Sequence, residues 1–180
     1  MAWASVSPWL LFGGSIALLF GTHMIDYETA FIPKLLCYTA FTGVMGMSIL
    51  PLVQVSAAAT VADAALATGL SMGALGAVAY NAPSEQFLSW AGPLSFGCMG
   101  LMGVSMLAMF RPQSRALYNI WLYGGLALCG ALTMFRTQSM LKAAKTEVNY
   151  DPINYSIGFY LDAVNIFVRI LAIMNGRKKK

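Results

Sequence analysis

The sequence predicts an all-α fold, a polytopic membrane helix bundle of six spans wrapped around a central C-terminal helix. Three observations predict it. The 180 residues are 58% hydrophobic and only 10% charged, the balance of a chain that dissolves in a bilayer. The apolar residues fall into six runs separated by polar turns, most of them close to the roughly 20 residues a spanning helix needs. The last run gathers its polar residues on one stripe: Tyr155, Gly158, Asp162, Asn165 and Arg169 recur at spacings of 3, 4, 3 and 4, which is one face of a helix. A carboxylate turned to lipid is costly, so the stripe is expected to face protein or a wet cavity, with other helices around it.

The first span, residues 9–25, opens after Pro8 with Trp9 at interface depth and closes in the polar turn 23–34. The second, 35–53, carries Gly43 and Gly46 on one side and Pro51 near its end. The third, 57–80, is rich in alanine and glycine. Its Gly69 and Gly73 offer the small faces that let membrane helices approach closely, and its Asp63 lies in the first turns, where the helix dipole favours a carboxylate. The turn Asn81-Ala82-Pro83-Ser84-Glu85 offers Ser84 as an N-cap. The fourth span, 88–110, has Pro93 in its first turns and a groove of Gly97, Gly100 and Gly103. The fifth, 117–135, is bounded by Arg111, Arg115 and Arg136. Residues 136–151, polar and alternating in charge, are expected to be the longest extramembrane connection. Asp151-Pro152 then starts the sixth span, 153–174, because proline presets φ in a first helical turn and lacks only a donor that would be orphaned there. The whole chain, 1–180, reads as a single membrane domain.

With six spans both termini lie on one face. That face collects Arg111, Arg115 and the basic tail 177–180, and the positive-inside rule assigns it to the matrix or cytoplasm. The tail accounts for most of the net charge of +4 and suits anionic headgroups. Nucleic acid is not expected as a partner, because no basic patch is interleaved with aromatics on a soluble element. Cys37, Cys98 and Cys129 all sit inside apolar runs and read as packing residues, with neither a disulfide framework nor a metal spacing. His23 is the only histidine. No nucleophile–base arrangement or phosphate loop is visible, so no cofactor, no bound metal and no enzymatic activity are expected. For Asp162 two readings stay open, a structural acid paired to a cation and an ion or proton site.

The residues also carry a resemblance. Ala82-Pro83-Ser84-Glu85-Gln86-Phe87-Leu88, Ala91-Gly92-Pro93-Leu94, Tyr123-Gly124-Gly125-Leu126, Tyr150-Asp151-Pro152-Ile153-Asn154, Tyr160-Leu161-Asp162, Asn165-Ile166-Phe167 and Arg169 stand in this order over about 100 residues. In this the chain resembles the Bax-inhibitor family, and its mitochondrial branch most. The resemblance implies a central last helix, residence in the mitochondrial inner membrane, pH-dependent calcium leak or calcium/proton exchange, and a part in cristae organisation and apoptosis control. The implied gate is a pair of aspartates, one in the last helix and one in a tyrosine-aspartate-threonine-glutamine motif. Asp162 keeps the first, but the second motif reads Phe135-Arg136-Thr137-Gln138, with arginine at the acid's position. The family has seven spans, and Met1 stands directly before what resembles the second. His23 lies where the family has an arginine near the end of that span. Two functions follow as expectations. One is an accessory subunit of a larger inner-membrane, respiratory assembly, in which Arg136 and Asp162 are paired as the remnant of a gate. The other is a calcium leak or calcium/proton exchanger gated by Asp162.

Overall fold

The computed structural model describes residues 8–83, 85–111 and 113–178. Ser84, the proposed N-cap, and the last two residues of the basic tail lie outside them. The described chain is helical throughout: α1 (Pro8–Met24), α2 (Phe31–Gln54), α3 (Ala58–Asn81), a 3-10 turn (Leu88–Trp90), α4 (Ala91–Phe110), α5 (Arg115–Asn119), a π-helical segment (Ile120–Gly124), α6 (Gly125–Thr146) and α7 (Pro152–Lys178). Among the described residues five stretches are long and apolar enough to cross a membrane, and α1 is a shorter apolar helix of 17 residues. The chain is a multi-pass membrane protein, and its exposed Trp9, Phe12, Phe20, Phe96, Met99 and Met102 are what a lipid-facing surface requires.

The helices divide into two compact units, residues 1–57 with 148–160, and residues 58–147 with 161–180. In the first, α1 and α2 pack as a hairpin. The start of α7 is tied to α2 by the Tyr160 hydroxyl, which donates to the Thr42 carbonyl at 2.8 Å, and by the edge-on contact of the Tyr160 ring with buried Phe41.

In the second unit α6 packs against α3 and α4. The close approach to α4 is at Gly97, where an added methyl would lie 2.7 Å from the Leu128 side chain. Gly69 and Gly73 do not perform the packing role their spacing suggests. Space within 4 Å of both is open, as it is at Gly100 and Gly103. The contact of α3 with α6 is made one turn further on, where Leu75 meets Gly130 and Gly76 meets Thr137. Two buried hydroxyls on these helices are satisfied inside their own helix, Thr68 to the Ala64 carbonyl and Thr133 to the Cys129 carbonyl, so they cost little in an apolar setting.

The segment 136–151 is helical over most of its length. Helix continues unbroken from Arg115 to Thr146, 32 residues, or about 48 Å at 1.5 Å per residue, well beyond the ~30 Å of a hydrocarbon core. The segment's polar alternation is the exposed side of a helix whose other side buries Gln138 and Ala143. The next helix, α7, is the most enclosed element: from Ile153 to Asn175 only Asn165 is exposed.

Candidate functional site

The site is built from the polar residues of α7 and from what each unit sets against them. In the first unit Asp151 acts as the N-cap that Asp151-Pro152 announces. One carboxylate oxygen accepts from the amides of Ile153 and Asn154 at 3.1 and 3.2 Å, covering donors that a first helical turn leaves without partners. The other oxygen is paired with the Lys34 ammonium, which also donates to the Ile25 carbonyl at 2.8 Å beyond the end of α1. Lys34 is 1% exposed. A single cation thus fastens the end of α1, the start of α2 and the start of α7. Tyr155 of the stripe stacks on Tyr150, ring centres 5.4 Å apart, and Gly158 is buried.

In the second unit the structure brings Arg136 and Asp162 together. Arg136 Nε lies 2.8 Å from Asp162 Oδ2, but its N–H is not aimed along a hydrogen bond to that oxygen. The contact is one of charge with incomplete alignment. The partners are unequal: the Asp162 side chain is 5% exposed and that of Arg136 37%. Asp162 is therefore shielded, while its counter-charge keeps an open side.

Arg169, two turns further along α7, is 3% exposed and pairs with no carboxylate among the described residues. Neutral groups hold it instead. Its Nη1 donates to the Asn165 side-chain and main-chain oxygens at 2.8 and 3.1 Å, and its Nε to the Trp121 carbonyl at 3.4 Å. The guanidinium carbon stands 4.9 Å from the centre of the Trp121 ring, a cation–π arrangement. Trp121 belongs to the π-helical segment, whose wider turn disturbs the usual i→i−4 ladder. Gly125 supplies the room: a methyl there would lie 2.2 to 2.6 Å from the Arg169 guanidinium. Asn165 is exposed, unlike its neighbours on the stripe, and its role is to orient Arg169.

The 82–88 motif is held by α6. Gln138, 5% exposed, accepts from the Phe87 amide at 2.7 Å and donates to the carbonyls of Pro83 at 3.0 Å and Ala79 at 3.4 Å. One turn on, Lys142 pairs with Glu85 at 2.7 Å. Glu85 takes the left-handed backbone, φ 71°, as a sharp turn between two spans requires. Among the described residues no three His, Cys, Asp or Glu side chains gather where they could hold a metal ion.

Sequence reasoning placed Asp162, Arg136, Asn165 and Arg169 on the site and Asp151-Pro152 at its helix start. It missed Lys34, Gly125, Trp121 and Gln138. A lysine inside the apolar run Phe31-Ile32-Pro33-Lys34-Leu35-Leu36-Cys37 and paired glycines in mid-span were the available signals.

Residues 1–179 match the family model described as Bax1-I, Inhibitor of apoptosis-promoting Bax1. The chain is also similar to growth hormone-inducible transmembrane protein of Rattus norvegicus, at 34% identity over 99% of this chain and 56% of that protein. It spans about half the length of that relative.

Proposed function

The chain belongs to the Bax inhibitor family, and from that premise we propose that it is a non-enzymatic accessory subunit of a larger assembly in the mitochondrial inner membrane, with its ion gate closed by an internal ion pair. The observation that carries the proposal is the 2.8 Å contact of Arg136 with Asp162. Two carboxylates at one site share a proton or hold a divalent cation between them. A carboxylate beside a guanidinium has its charge already matched and does neither. Arg169, buried two turns away on the same helix, adds a second cation, so the former gate has two positive groups against one negative. That balance repels calcium. The resemblance of residues 82–88, 123–126 and 150–169 to the mitochondrial branch of the family supports the location.

A second reading has its own support. The Arg136 side chain is 37% exposed and its N–H misaligned, so the pair has a route to open, and an open pair would leave Asp162 as the gate of a pH-dependent calcium leak or calcium/proton exchanger that acts in cristae organisation and apoptosis control. Two measurements separate the readings. On native gels in mild detergent an accessory subunit migrates with a large complex and a free transporter migrates small. In liposomes the unmodified protein should pass little calcium between about pH 6 and 8, the range in which paired carboxylates respond, and Arg136→Asp should restore a pH-dependent flux. An unmodified protein that already leaks calcium, with a pH dependence abolished by Asp162→Asn, overturns the first reading in favour of the second.

A further inference from the structure

Where the membrane-embedded ends of α3 and α4 stop, α6 does not. Gln138 is level with Ala79 and Pro83, which it hydrogen-bonds, and the helix runs on to Thr146. Lys145 stands seven residues past Gln138, about 10 Å along the axis. The corner between this projecting stretch and residues Ala82, Glu85 and Leu88 contains a cavity of about 260 Å³.

The lining of the cavity mixes two chemistries. Leu88 and Leu141 are apolar, while Lys142 and Lys145 set two ammonium groups against the single carboxylate of Glu85. Tyr80, 68% exposed, stands at its edge, an aromatic with a polar tip of the kind enriched at membrane interfaces. Apolar side chains beside two ammonium groups, at the level where spans end, fit a molecule with an acyl chain and an anionic head.

We propose that this corner binds an anionic phospholipid, its phosphate ester between Lys142 and Lys145 and the top of its acyl chain against Leu88 and Leu141. Glu85 is the built-in competitor. It is paired with Lys142 at 2.7 Å, and both partners are half exposed or more, 50% and 60%, so a phosphate can displace it at little cost. The site requires nothing of the Arg136–Asp162 pair and stands or falls apart from the closed gate.

The test is native mass spectrometry of the full chain in mild detergent doped with phosphatidylglycerol, with phosphatidylcholine and inorganic phosphate as separate arms. One phosphatidylglycerol per chain should survive, with phosphatidylcholine and free phosphate lost. Lys142→Gln and Lys145→Gln should each weaken retention about fivefold, the effect of one basic side chain at an anionic surface, and Glu85→Gln should strengthen it by freeing Lys142. Arg115→Gln makes the same charge change at the opposite end of the same long helix and should leave retention within about twofold, below the effect of one such side chain. All these side chains are exposed, and thermal unfolding of each variant checks that the fold is intact. Equal weakening by Arg115→Gln, or equal retention of phosphatidylcholine or free phosphate, overturns the proposal.

Discussion

The two acid–base pairs on α7 are made of the same chemistry and behave as opposites. In the first unit Asp151 uses one oxygen to cap the helix and the other to hold Lys34, which in turn caps the end of α1. Both charges have hydrogen bonds beyond each other. In the second unit Asp162 faces Arg136 across 2.8 Å with the donor misaligned and the base more than a third exposed. Burial alone does not distinguish them, since Lys34 and Asp162 are 1% and 3% exposed. What distinguishes them is how many other groups fix each partner. A pair whose members also terminate helices is a fastening, whereas one whose members touch little else can be exchanged without losing the fold.

The contrast is sharpest at Lys34. Replacing it by methionine keeps the length of the side chain and leaves a carboxylate oxygen and the Ile25 carbonyl without their partner. Breaking a buried pair by removing one member costs about 3–5 kcal/mol, and thermal unfolding in detergent should show a loss of that order for Lys34→Met. If Arg136→Met costs as much, the distinction between fastening and exchangeable pair is wrong.

Next in size is Gly125→Ala. The added methyl meets the Arg169 guanidinium, which has no exposed direction in which to withdraw, and overpacking of this kind costs about 1–3 kcal/mol. The double variant Gly125→Ala, Arg169→Met should be less destabilised than the sum of the singles, because the second change removes what the first collides with. Strict additivity in a double-mutant cycle would mean that Arg169 does not depend on that space. A comparable loss, about 1–3 kcal/mol, is expected for Gln138→Leu, which leaves the Phe87 amide unsatisfied and takes a donor from the Pro83 and Ala79 carbonyls. Hydrogen exchange at Phe87 should accelerate in that variant, while amides in the α1–α2 hairpin should not change.

These sites also mark where the sequence was legible. The spans, the helix start at Asp151-Pro152 and the stripe through Asp162 and Arg169 follow from periodicity and local backbone chemistry, which act over a few residues. The fastening does not, because Lys34 and Asp151 are 117 positions apart, and a lysine near the start of a span reads alone as an interfacial residue. Gly69 and Gly73 show the converse. Their spacing permits close packing, but which glycine is used depends on the register of α3 against α6, and that register sets Gly76 against Thr137 and Gly130 against Leu75. Residues 136–146 read as a polar connection rather than as more of the fifth helix, because charge alternation on one face hid the small and amide side chains on the other, which only the neighbouring helix explains.

The smallest effects belong to the Arg136–Asp162 pair, and their order is itself a test. Arg136→Gln leaves a shielded carboxylate without its counter-charge, so the desolvation cost that the pair offsets reappears in part. Because Arg136 is partly exposed, the pair is weaker than a dry one, and a loss of about 1 kcal/mol is expected, the upper end for solvent-accessible pairs. Asp162→Asn does the reverse. It removes the group that bears most of the burial cost, and the guanidinium it leaves behind has an open side along which to reach water. Replacing the buried acid by a neutral group of the same shape should then change stability by about 0 to 0.5 kcal/mol in either direction, the small effect expected where the charge left behind is solvent-accessible. The inequality, with loss of the base worse than loss of the acid, follows from which partner is buried. Thermal unfolding of the two single variants side by side measures it. If Asp162→Asn is the more destabilising change, Asp162 has structural partners beyond Arg136, and the pair belongs with the fastening of the first unit rather than in contrast to it.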